Sequence, residues 1–139
     1  MRIIKFRGIL LNESQAVGKG WIYGTPVFLS KTEVAIHPFW KPKEIYLVKK
    51  ETLGEFIGLE DKNVKEIYEG DIVKLVKDKD QEKSAEHMQG TGVVGFDLVD
   101  LTFGWSKSIE GRPYSLLTWG GTKSVEVIGN IYFNPELLK

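Results

Sequence analysis

Short apolar runs separated by helix breakers set the pattern of this chain. Ile3, Ile4, Phe6, Ile9 and Leu10 lie among basic residues, and Trp21, Tyr23, Val27 and Phe28 recur beside Gly18, Gly20, Gly24 and Pro26. β-Branched and aromatic runs cut by residues that a helix does not tolerate predict short strands with turns. Val34–Ile36, Ile45–Val48, Ile72–Val76, Val93–Phe96, Leu116–Trp119 and Val125–Ile131 extend the series, each bounded by Gly, Pro, Asn or Asp. The total is about eight strands. The expected fold is mostly β: a small, partly closed β-barrel in which closure or self-association hides edge strands.

Three segments stand outside this pattern. Lys77–Ser84 has no apolar stripe to bury, so residues 77–89 read as a mobile polar insertion or a protruding hairpin tip, with a short solvated helix around Gln81–Met88 as the other option. Gly120-Gly121 suits a hairpin loop, since glycine supplies the positive φ such turns need. Asn134-Pro135-Glu136-Leu137-Leu138 combines an N-cap residue, a proline at the first helical position and an acid in the first turn. It predicts one closing helical turn docked by its leucines.

The length of 139 residues suits one domain over the whole chain. With hydrophobic residues at 42% and charged residues at 27%, the composition is that of a folding chain and not of a disordered one. Lys plus Arg number 19 and Asp plus Glu also 19, so no global field draws the molecule to nucleic acid or membrane. The charge concentrates in residues 41–87, with ten basic and twelve acidic side chains, which fits a solvated mixed-sign face. Zero cysteines exclude disulfides, thiolate metal sites and cysteine nucleophiles. No run approaches the length of a membrane span and the start carries no export signal, so a cytoplasmic protein without membrane partners is expected.

Candidate chemistry is sparse. Gly90-Thr91-Gly92-Val93-Val94-Gly95 is formally G-x-G-x-x-G, but the dinucleotide fingerprint needs a strand before it and a helix after it. Here a polar loop precedes and a β-branched run follows, so a glycine-rich strand entry is the reading. His37 and His87 lie fifty residues apart with no ligand spacing, and Asp97/Asp100, Glu66/Glu69 and Glu69/Asp71 are carboxylate pairs of a kind common in turns. A metal-dependent hydrolase built from His37 or His87 with nearby carboxylates is the least favoured option. No serine sits in a nucleophile elbow. No catalytic, cofactor or metal residue is assigned, and the chain is read as a non-enzyme.

Binding chemistry is better represented. Arg2, Lys5 and Arg7 could place positive charges on one face of the first strand, the available basic stripe for a phosphate backbone. Trp40 is the best candidate for an exposed tryptophan, because Pro38 and Pro42 flank it and Lys41 and Lys43 follow.

Thr52-Leu53-Gly54-Glu55-Phe56-Ile57-Gly58-Leu59-Glu60-Asp61-Lys62-Asn63-Val64-Lys65-Glu66-Ile67-Tyr68-Glu69-Gly70-Asp71-Ile72-Val73 resembles the central signature of the YopX family, encoded largely by bacteriophages and prophages. The opening Met1-Arg2-Ile3-Ile4-Lys5-Phe6-Arg7 and the closing stretch Val125–Leu138 resemble the same family in the expected order. The family pattern usually has an aromatic where this chain has Gly8, and glycine where it has Val64. Val64 argues that the turn does without a positive φ, or that its geometry differs. The resemblance implies a β-rich, barrel-like fold of SH3-like character and supplies no catalytic residues. The function expected is a phage- or prophage-derived binding or assembly module, homo-oligomeric, with a phage or host protein as partner. The alternative is a nucleic-acid-binding small barrel using the basic first strand.

Overall fold

The computed structural model describes residues 1–12, 20–75, 90–109, 114–115 and 124–139. The expected insertion at 77–89, the Leu116–Trp119 run, Gly120-Gly121 and His87 lie outside them. The fold is mostly β, with eleven short strands among the described residues and antiparallel pairing. No helix among them is long and apolar enough to cross a membrane. The chain divides into two compact units, Met1–Gly58 and Leu59–Lys139.

The first unit contains β1 (Phe6–Ile9), β2 (Trp21–Phe28), β3 (Val34–Pro38), β4 (Tyr46–Val48) and most of β5 (Gly54–Glu60), in the hydrogen-bonded order β4-β3-β2-β1-β5. Alternation turns Leu10, Ile22, Val34, Ile36 and Val48 to one side, where they form a buried cluster flanked by Tyr46 and Leu53. The sheet curls until β4 meets the end of β1. Leu11 N donates to Leu47 O at 2.9 Å and Lys49 N to Ile9 O at 2.8 Å, around a single bridge between Leu10 and Val48. Closure stops at that bridge, because β4 has three residues and offers no length for a full ladder, so no closed barrel forms among the described residues. Thr52, the first residue of the family-like signature, secures the junction: its hydroxyl accepts from Ile9 N at 2.9 Å and donates to Lys49 O at 2.6 Å.

The second unit contains β6 (Glu66–Tyr68), β7 (Asp71–Leu75), β8 (Gly90–Asp97), β9 (Thr102–Ser106), β10 (Tyr114–Ser115) and β11 (Val125–Asn130). A five-stranded sheet runs β10-β9-β8-β7-β11, and β6 folds back on the end of β5. Ile67, Tyr68, Ile72, Val73, Val94, Trp105 and Val125 are buried. The chain closes with a 3-10 turn over Pro135–Leu138, with proline at its start as expected. Asn134 does not cap it: its Oδ1 accepts from Asn130 N at 3.3 Å instead. Leu137 lies against Gly129 but stays exposed.

The turn between β5 and β6 is built on one buried carboxylate. Asp61 Oδ1 accepts from Asn63 N at 2.8 Å and Lys65 N at 2.9 Å, and its Oδ2 accepts from Val127 N at 2.8 Å. Lys62 N donates to Val125 O at 2.9 Å, and Lys62 Nζ pairs with Glu126 at 3.1 Å. The signature turn thereby occupies the outer edge of β11. Val64 sits in it at φ 64°, so this turn does require the left-handed conformation, against the sequence-based expectation. The side chain is 72% exposed and gains little packing in return. Val64→Gly is therefore expected to stabilise the protein by about 1 kcal/mol, the left-handed penalty less the added freedom of the unfolded chain. A urea titration checks this, and a lower midpoint in the variant would refute it.

Candidate binding surface

The basic first strand does not present three free charges. Arg2 is exposed and donates to Glu55 Oε1 at 2.6 Å. Lys5 Nζ stands 4.7 Å from the centroid of the Phe56 ring, a cation-π contact. Arg7, 5% exposed, stacks 4.3 Å from the Trp21 ring centroid. Neighbouring strands explain the placement: Arg7 is paired with Tyr23 of β2 and Gly54 of β5, which puts it mid-sheet and not at an edge. The three side chains thus have separate surroundings.

Trp40, Lys41 and Lys43 do come together, in the loop between β3 and β4. Buried Pro38 ends β3, and Lys41 N donates to its carbonyl at 3.1 Å to close a tight turn that pushes Phe39 and Trp40 outward. A second turn follows, with Glu44 N donating to Lys41 O at 3.0 Å. His37 Nδ1 donates to the Glu44 carbonyl at 3.0 Å and ties the two ends of the loop together. The Glu44 carboxylate accepts from the Tyr46 hydroxyl and stands 3.6 Å from Lys41 Nζ. The Tyr46 bond holds the Glu44 carboxyl below the ordinary range, against a smaller opposing effect of desolvation and with help from Lys41, and the same bond raises the Tyr46 hydroxyl. The loop is thus braced internally while Phe39, Ile45 and Trp40, the last 60% exposed, face solvent beside Lys43. A rigid aromatic surface rimmed by cations suits recognition, because little side-chain freedom is lost on binding.

Four of the remaining candidates, His37, Asp97, Asp71 and Glu66, have structural duties. His37 braces the loop just described. Asp97 Oδ1 accepts from Val99 N at 2.8 Å, Asp71 Oδ2 from Tyr68 N at 2.8 Å, and Glu66 Oε2 from the Tyr68 hydroxyl at 2.7 Å. Among the described residues no group of three or more His, Cys, Asp or Glu could hold a metal ion. Gly90–Gly95 lies in β8, as its flanking sequence indicates. Gly92 is glycine for packing: a Cβ there would lie 2.2 Å from Cε3 of buried Trp105 and 2.6 Å from Ser106 O.

One exposed feature escaped sequence reasoning. The turn joining β8 to β9 displays Leu98, Val99 and Leu101. Its single available signal was apolar residues between Asp97 and Asp100, which composition alone assigns to a core.

Two antiparallel sheets, built from short strands and bearing a braced aromatic loop, define a small, mostly β protein. The family model described as YopX protein matches residues 20–139, and the chain belongs to the YopX family. The crystal structure of protein EF1440 from Enterococcus faecalis is similar over 100% of both chains, at 26% identity and a TM-score of 0.54. A comparison with curated proteins finds no match.

Proposed function

We propose that this YopX-family chain is a non-catalytic binding and assembly module of phage or prophage origin, acting in the bacterial cytoplasm and engaging a protein partner through the β3–β4 loop. The observation that carries the reading is the exposure of Phe39, Trp40 and Ile45 on a loop fixed by His37, Glu44 and Tyr46. Exposed aromatics on a fixed frame lose packing unless a partner restores it. Self-association belongs to this reading. Nucleic acid is the weaker partner class, since Arg7 is buried against Trp21, Arg2 is paired with Glu55, and Lys41 stands near Glu44.

The test is light scattering coupled to size exclusion on the wild type and Trp40→Ser, with and without short single-stranded and duplex DNA at two salt concentrations. A discrete multimer indifferent to DNA is expected. Trp40→Ser is expected to unfold within about 0.5 kcal/mol of the wild type, as a surface change does. Its association should weaken about 30-fold, the effect of losing a 2 kcal/mol hot spot. A salt-sensitive, Trp40-dependent mass shift with DNA would replace this reading by nucleic-acid binding through the same loop.

A further inference from the structure

We propose that the β2–β3 hairpin tip is a docking site for an anionic phospholipid surface, at the opposite end of β3 from the aromatic loop and independent of it. Every residue from Phe28 to Glu33 is exposed, Phe28 at 65% and Leu29 at 48%. The exposure does not come from a slack turn. Leu29 N donates to Glu33 O at 3.0 Å and Ser30 N to the same carbonyl at 3.3 Å, while Ser30 Oγ accepts from Thr32 N at 3.2 Å and Glu33 N at 3.1 Å. Lys50, which follows β4, donates from its Nζ to Lys31 O and braces the tip from the side. A well-bonded frame thus holds two large apolar side chains in water, a cost that a covering partner removes.

Direction decides the kind of partner. Phe28 shares a face with Val34, its neighbour on β3, and pairing continues to Leu29 and Glu33, so strand alternation sends Leu29 to the other face. A nucleic acid or a protein surface that packs on one face of the hairpin leaves the other apolar side chain in water. A lipid interface surrounds an inserted tip and covers both. Charge selects the lipid. Lys31 and Lys50 have no carboxylate partner among the described residues. Together with Lys49, which follows the Val48 partner of Val34, these lysines outnumber the neighbouring Glu33 and Glu51. Ammonium groups on flexible stems reach headgroup phosphates while their methylenes accompany Phe28 and Leu29 into the boundary. The balanced total of 19 basic and 19 acidic side chains hides this preference, because headgroup charge acts only within about 10 Å.

The experiment is co-sedimentation of the full chain with two kinds of vesicle, phosphatidylcholine alone and phosphatidylcholine with phosphatidylglycerol in equal parts, at low and moderate salt. The wild type should sediment with the anionic vesicles, less so as salt rises, and stay in solution with the neutral ones. Phe28→Ser/Leu29→Ser should bind at least about 10-fold more weakly, for loss of two partly buried apolar side chains. Lys31→Gln should bind about 5-fold more weakly, the share of one lysine near an anionic surface. Circular dichroism and urea midpoints show that each variant is folded, and Leu29→Ser alone, just outside the strand, serves if the double variant is not. Trp40→Ser should sediment as the wild type does. A wild type that sediments with neither kind of vesicle, or equally with both, overturns the proposal, as does undiminished binding by the folded tip variant. Loss of vesicle binding in Trp40→Ser overturns it too, by moving the lipid contact to the loop. Retention of a short duplex DNA by the wild type but not by Lys31→Gln, with no vesicle bound, replaces it by nucleic-acid binding. None of these outcomes alters the mass measurement by which the β3–β4 loop is judged.

Discussion

Gly24→Ala is expected to lower the unfolding free energy by about 3 kcal/mol or more, beyond the usual range for overpacking, because the obstacle is backbone. Gly24 lies in β2 between Phe6 of β1 and Pro38 of β3. A Cβ there would stand 1.8 Å from His37 O, 2.7 Å from His37 C and 2.9 Å from Pro38 Cα. No rotamer change relieves such contacts; β3 must separate from β2. His37 and Pro38 also begin the β3–β4 loop, so the same methyl group displaces Phe39 and Trp40 and is expected to abolish association. Urea unfolding followed by tryptophan fluorescence measures the loss. Thr25→Ala, at the exposed neighbouring position, should stay within about 0.5 kcal/mol. Equal midpoints for the two variants would show that β2 and β3 do not pair in this register.

Asp61→Ala is expected to cost about 3 kcal/mol, since it removes three charge-assisted hydrogen bonds and leaves the buried N–H of Val127 without its acceptor. Asn63 and Lys65 are exposed, and water can serve their amides in part. Burial alone would raise the Asp61 carboxyl. The N–H groups of Val127, Lys65 and Asn63, with the Lys65 charge, outweigh it and hold the carboxyl below its ordinary range. The folded value thus lies below the unfolded one of about 3.9. The contribution is full above that value and is lost as pH falls through the folded one. Asp61→Asn keeps the shape without the titration. Its stability deficit should therefore be largest near neutral pH and shrink in acid, and a deficit that is constant with pH would refute the assignment.

The sequence located β2, β3, β4, β7, β8 and β11 because each carries a β-branched or aromatic run between breakers. It missed β5 and β9, whose interiors contain Gly58 and Gly104 and therefore look like turns. Trp40 was legible as an exposed residue because prolines and lysines surround it. Arg7 was not: alternation says which residues share a face, but not that a face bearing an arginine turns toward Trp21. The hairpin tip was hidden for a related reason, as exposure of Leu98 and a left-handed Leu101 both contradict the residue preferences from which sequence is read.

The turn that caps β11 gives the five-stranded sheet a removable last strand. Asp61 supplies the acceptor that another chain's carbonyl would supply in a fibril, and it does so through a group that a proton can switch off. Because that carboxyl is held below the ordinary range, only strong acid should loosen the β11 edge, and the Lys62 N to Val125 O bond does not titrate with it. Replacing Asp61 by alanine removes the same acceptor at neutral pH, so the variant should lose soluble protein faster than the wild type, with kinetics that depend on protein concentration.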